Sequence, residues 1–198
     1  GLNGGYQSSR AKLLFDTAYA STGGVNRFVG SFFEQTSVSS RLTGDYTISP
    51  KTSFELSLRQ NSVDSETQGF ADTSSTTFRA AALWQATPLI RLGPGFRYGV
   101  RTAEVGAQLQ DAELTVAGPV LRLDYKLSTK VSLTSNVGLD FADSPSGDDE
   151  LLNWRVGLNY RASSLWGLNL RMIRDTQATL FSGGGFDQVS SYRFGYTR

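Results

Sequence analysis

Apolar and polar residues alternate along most of this 198-residue chain, and almost nowhere does the apolar spacing follow a helical period. Side chains of a strand point alternately to its two faces, so the pattern predicts an all-β protein. From Arg91, the residues Leu92, Phe96, Tyr98 and Val100 share one face, and Arg91, Gly93, Gly95, Arg97, Gly99 and Arg101 the other. Val131, Leu133, Val137, Leu139 and Phe141 likewise oppose Ser132, Thr134, Asn136, Gly138 and Asp140. A third stretch sets Leu152, Trp154, Val156, Leu158 and Tyr160 against Asn153, Arg155, Gly157, Asn159 and Arg161. Each runs for ten or more residues. That exceeds the five or six of an ordinary strand and approaches the roughly nine to eleven that a tilted strand needs to cross a bilayer.

A weak internal repeat orders these strands. The segments 45–51, 124–130 and 159–165 each end an apolar strand on an aromatic and enter a short polar turn; Trp84 before Thr87-Pro88, and Tyr196, occupy the same place. Tyr46, Trp84, Tyr125, Tyr160 and Tyr196 are thus separated by 38, 41, 35 and 36 residues, enough for two strands, a tight turn and a longer link. Five such units predict ten strands, with residues 1–5 as an N-terminal tail to one barrel domain. Short turns are expected near 49–52, 87–90, 128–130 and 163–166. Longer links are expected near 22–27, 62–75, 103–111, 142–151 and 178–187, holding Pro145 to Glu150 and Gly183-Gly184-Gly185.

Short turns at one end and long loops at the other, with strands of this length and an aromatic row beside the turns, resemble the bacterial outer-membrane β-barrel class over residues 6–198. The resemblance implies a transmembrane up-and-down antiparallel barrel with periplasmic short turns, extracellular loops and, for an even strand count, both termini in the periplasm. Its outer face would contact the bilayer and lipopolysaccharide, with the five aromatics as the interfacial girdle. Such barrels commonly finish on an aromatic, whereas this chain ends Tyr196-Thr197-Arg198. The aromatic-then-Ser turns also resemble barrels that accompany exopolysaccharide secretion. The alternative is a soluble barrel of lipocalin type with its apolar face inward. Gly residues among the Arg residues on the polar faces, and a girdle at fixed depth, favour the polar face inside.

Composition narrows the chemistry. The chain has no Cys and no His, which excludes disulfides and imidazole chemistry, and no apolar run long enough for a transmembrane helix. It opens on Gly1 without a signal peptide, as either a cytoplasmic or a mature, processed chain would. Outer-membrane barrel proteases, phospholipases and deacylases use a His as general base, so the expectation is a protein that is not an enzyme and holds no cofactor. Asp148-Asp149-Glu150 offers carboxylates for Ca²⁺ or for divalent bridges to lipopolysaccharide, although an acidic run in a Gly/Pro loop is more often a solvated tip. No Cys/His metal set, phosphate-cradling loop or nucleic-acid signature is present.

Nineteen basic residues nearly balance eighteen acidic ones, but strand parity separates them. The polar faces carry Lys12, Arg41, Arg59, Arg79, Arg91, Arg97, Arg101, Arg122, Lys126, Arg155, Arg161, Arg171 and Arg193 against Asp16, Asp45, Glu55, Asp124 and Asp140, a net +8. The remaining acids, among them Glu66, Asp111, Asp148 to Glu150, Asp175 and Asp187, fall in the long-loop half for a net −11, opposed only by Arg27 and Arg174. Arg10, Lys51, Lys130 and Arg198 make the short-turn end +4.

A cationic lumen passes or binds anionic solutes or acidic saccharides. Its selectivity residues would be the ladder Arg91, Arg97 and Arg101 with Arg59, Arg79, Arg122 and Arg155, partnered by Asp45, Glu55, Asp124 and Asp140. The expectation is a narrow channel gated by loops 62–75 and 142–151, whose carboxylates meet the ladder, with no nucleic-acid partner but with room for a periplasmic partner in an export assembly. The competing reading is a non-conducting barrel that anchors a partner or presents acidic loops, its inward Arg residues serving structure alone. Leu114 and Val116 differ in parity from Leu121, Leu123 and Tyr125, which predicts a β-bulge at Gly118-Pro119.

Overall fold

The computed structural model describes residues 1–25, 32–65, 72–104, 112–144, 147–163, 166–178 and 186–197. Arg27, Glu66, Asp111, Pro145-Ser146, Gly183 to Gly185 and Arg198 lie outside the described residues. Eleven strands run in chain order: β1 (Leu2–Gln7), β2 (Ala11–Val25), β3 (Phe32–Ser49), β4 (Thr52–Ser65), β5 (Asp72–Gln85), β6 (Ile90–Glu104), β7 (Ala112–Lys126), β8 (Val131–Ser144), β9 (Gly147–Arg161), β10 (Gly167–Ala178) and β11 (Phe186–Thr197). Each pairs antiparallel with its sequence neighbours, a simple up-and-down meander.

Long-range ion pairs show how the sheet curves. Arg97 of β6 lies 2.8 Å from Asp175 of β10. Four inter-strand steps of about 4.8 Å would hold them about 19 Å apart in a flat sheet. Arg122 of β7 similarly meets Glu55 of β4. The sheet is therefore rolled into a barrel with its polar face inside. Leu42, Leu56, Leu58, Phe96, Tyr98, Leu121, Val137, Leu139, Phe141 and Leu152 stand exposed on the outer face, as a lipid-facing belt requires.

The aromatic row forms as expected. Tyr46, Trp84, Tyr160 and Tyr196 are exposed beside the short turns, and register aligns Tyr160 with Leu168 and Leu168 with Tyr196. Tyr125 opposes Ile90 and Leu133 at the same depth. Trp166 joins the row, its ring edge-on to Tyr160 at 6.1 Å. The repeat has a local cause: each short turn opens with a hydroxyl that accepts a backbone N–H two or three residues on. Ser8 accepts from Ala11 at 3.0 Å, Ser49 from Lys51 at 3.3 Å, Thr87 from Ile90 at 3.0 Å, Ser128 from Val131 at 3.1 Å and Ser163 from Trp166 at 3.3 Å.

The structure differs from the sequence expectation in three places. Residues 2–7 form β1, paired with β2 from Leu2↔Thr17 to Gln7↔Lys12, so residues 2–5, expected as a tail, are strand. The count is eleven, so Leu2 begins partway up the barrel and only Gln7 reaches the short-turn end, whereas the even count put both ends there. Tyr6 had carried the signal, since Tyr6-Gln7-Ser8 repeats the aromatic-then-Ser turn 40 residues before Tyr46.

The second difference concerns the long links, much of which is strand. Asp148-Asp149-Glu150 belongs to β9 and pairs with Asp143, Ala142 and Phe141 of β8, so it is not a loop tip.

The third is the expected bulge. The register of β7 with β6 is continuous across Gly118-Pro119, and that with β8 skips these two residues but resumes in phase from Ala117↔Phe141 to Val120↔Gly138, so no residue is inserted and no bulge forms. Leu114 and Val116 face inward with Val120 and Arg122, and pack with Ala142 and Leu151 as an apolar cluster inside the loop end. Gly118 instead permits close approach: a Cβ there would lie 1.7 Å from the Leu139 carbonyl oxygen. Gly93, also before a proline, would place one 1.8 Å from the Ala82 oxygen. At both sites the chains touch where the proline donates no ladder bond.

Candidate functional site

Alternation brings the polar face of every strand from β3 to β10 around one lumen. Two layers of ion pairs cross it. Nearer the short turns, Arg91 bonds Asp124 through Nη2 at 2.7 Å and Glu55 at 3.1 Å. Arg122 meets Glu55 and lies 3.3 Å from Asp124. Nearer the loops, Arg97 donates to Asp140 at 3.0 Å and to Asp175 at 2.8 Å, and Arg101 lies 3.8 Å from the other Asp175 oxygen. The Arg97 and Asp140 side chains are 5% and 0% exposed. A buried guanidinium needs such partners, because an isolated charge in this setting is costly.

Between the layers lies a cavity of about 590 Å³. Arg41, Arg79, Arg155 and Arg171 line it together with Asp45, Glu55 and Asp175. Among the described residues, none of those four arginines has a carboxylate within 4 Å. Register intensifies the charge: Arg79 is directly opposite Arg97, Arg41 opposite Arg59, and Arg171 opposite Arg193. Like charges facing one another across a ladder destabilise a sheet, so the inner wall carries an electrostatic cost. Hydroxyl and amide groups of Thr43, Ser57, Thr134, Asn136 and Asn153 line the wall as well, beside Ala81, Val120 and Ile173. A second cavity of about 480 Å³ opens at the short-turn end, and Arg122 borders both.

The expected lumen residues thus divide by depth. Arg91, Arg122, Glu55 and Asp124 form the lower layer, Arg97, Arg101 and Asp140 the upper, and Arg79, Arg155 and Asp45 line the chamber. Arg59 shares the inner face but is exposed and donates from Nε to Asn61 at 3.2 Å. Asp175 had been assigned to the loop half; it lies in β10, and its carboxylate is central to the upper layer. Its odd parity with Arg171 was the available signal. The carboxylates that meet Arg97 come from strands β8 and β10, not from loops 62–75 and 142–151; residues 66–71 and 145–146 lie outside the described residues.

No protein-family model matches the chain, and no curated protein does. Solved structures do. The CymD monoaromatic hydrocarbon channel superposes with a TM-score of 0.55 at 12% identity, over 98% of this chain and 72% of CymD. BauA, the ferric preacinetobactin receptor from Acinetobacter baumannii, gives 0.51 at 11% identity over 97% of this chain and 43% of its own. OmpT, an outer membrane protein of Vibrio cholerae, gives 0.50 at 10% identity over 97% and 77%. The chain therefore spans less than half of the receptor. It has the fold of the bacterial outer-membrane β-barrels, and its apolar belt suits that membrane.

Proposed function

We propose that this barrel is a narrow outer-membrane passage for anionic solutes, acidic saccharides among them, held closed at rest by its internal ion pairs. The observation that carries the reading is the chamber wall, where Arg41, Arg79, Arg155 and Arg171 outnumber the acids and lack partnering carboxylates within 4 Å among the described residues. A fixed positive field in a narrow, low-dielectric lumen concentrates anions and repels cations. The two ion-pair layers take over the closing role that the sequence assigned to loops. In this reading the protein is not an enzyme, the bilayer and lipopolysaccharide cover its outer face, and the basic edge of Arg10, Lys51 and Lys130 faces a periplasmic partner. Service to a saccharide export assembly follows from the aromatic-then-Ser turns alone.

Planar-bilayer recording under a KCl gradient tests it. The expected result is a small conductance with a reversal potential favouring Cl⁻, and a clear fall in that preference for Arg41→Gln with Arg171→Gln. Cation preference would overturn the reading. A folded, heat-modifiable barrel that stays silent would favour an anchoring role instead.

A further inference from the structure

The chamber has features of a binding site as well as of a path, and we infer that it binds a phosphorylated sugar, with Arg79, Arg155, Arg41 and Arg171 holding the phosphate. The inference rests on the cationic lumen of the proposed function and names the ligand class for it.

Three observations converge. The first is charge. Four guanidinium groups from β5, β9, β3 and β10 surround one space, and Arg79 is also opposite Arg97 in register. A dianion offsets this repulsion better than a monoanion. A phosphate also presents oxygens in several directions to planar guanidinium forks, whereas a carboxylate presents two in one plane.

The second is unmet hydrogen bonding. Arg155 Nε is buried without a hydrogen-bond partner among the described residues, and Arg155 lines the chamber. A buried donor left without an acceptor is destabilising, and ligand oxygens would supply the acceptors.

The third is the remaining wall. Thr43, Ser57, Thr134 and Asn136 present hydroxyl and amide groups suited to a polyhydroxylated body. The volume of about 590 Å³ lies within the range of small-molecule sites.

Isothermal titration calorimetry provides the readout, since alternation along β9 puts Trp154 on the outer face with Leu152, opposite to the chamber-lining Asn153 and Arg155. The protein, folded in detergent micelles, is titrated with glucose 6-phosphate, glucuronate and glucose. Glucose 6-phosphate is expected to bind saturably, with affinity about tenfold or more above glucuronate and no binding heat from glucose. Arg79→Gln with Arg155→Gln should weaken it about tenfold or more, and Arg79→Lys with Arg155→Lys should restore part of the loss, since charge returns without the fork. Heat-modifiable migration confirms that each variant is folded. Equal affinity for glucuronate would overturn the phosphate assignment, and equal affinity for glucose, or unchanged binding in the Gln variant, would overturn the site. Binding in micelles requires no conduction. A silent barrel that binds glucose 6-phosphate refutes the channel reading alone, and an anion-selective pore that ignores it refutes this inference alone.

Discussion

Asp140 has no exposed surface, and its Oδ2 accepts a hydrogen bond from the equally enclosed Arg97. Arg97 also holds Asp175, so one side chain ties β6 to β8 and β10 through the interior. These contacts bridge strands that do not pair through their backbones, and they fix the curvature of the sheet. Replacing Asp140 leaves a buried guanidinium short of a counter-charge, a change that costs about 3–5 kcal/mol where both partners are enclosed. Asp140→Ala should therefore lower stability by about that amount in urea unfolding followed by tryptophan fluorescence in lipid vesicles. A loss below about 1 kcal/mol would show that Asp175 alone satisfies Arg97. Arg91 is more exposed than Arg97, and solvent screens its pairs with Glu55 and Asp124 accordingly.

The strands are amphipathic in the sense opposite to that of a soluble barrel. Along β7, Leu121 and Leu123 alternate with Val120, Arg122 and Asp124, and Leu121 is 58% exposed outside while Arg122 reaches across the lumen to Glu55. This arrangement is stable only if lipid covers the outer face. An arginine at Leu121 should cost about 2–4 kcal/mol in vesicles, whereas Thr134→Lys, on the inner wall, should cost less than about 1 kcal/mol. Equal tolerance at the two sites would contradict the assignment of faces. The same strand shows why parity alone misread a segment. Leu114 and Val116 are apolar yet inward, because the loop end of the lumen holds its own small apolar cluster with Ala142 and Leu151. An apolar residue marks a face only where a single environment lies behind that face.

Across the molecule, charge is arranged by depth. Paired layers bound a chamber with excess arginine, and the apolar cluster lies beyond the upper layer toward the loops. Arg122 borders both the chamber and the lower cavity, so it forms part of the partition between them. Removing its guanidinium should join the two spaces. Arg122→Gln is expected to raise single-channel conductance about twofold or more in planar bilayers. An unchanged conductance would place the limiting constriction at the Arg97 layer instead.

Much of this was legible in the chain. Alternation depends on backbone geometry alone, so strand type, the two faces, the aromatic row and the inward placement of Arg97, Arg122 and Arg155 could be read from parity. The Ser and Thr turn openers act within three residues and are visible for the same reason; Tyr6-Gln7-Ser8 carries the pattern to the end of β1, beside the residues 1–5 expected as a tail. Which carboxylate meets which arginine was not legible. Arg97 and Asp175 are 78 residues apart and meet only because the sheet curls, and curvature is a collective property that no local pattern encodes. The sequence by itself determined what each strand presents and to which side; the rolled sheet decided which presented charges neutralise one another and which remain to face the chamber.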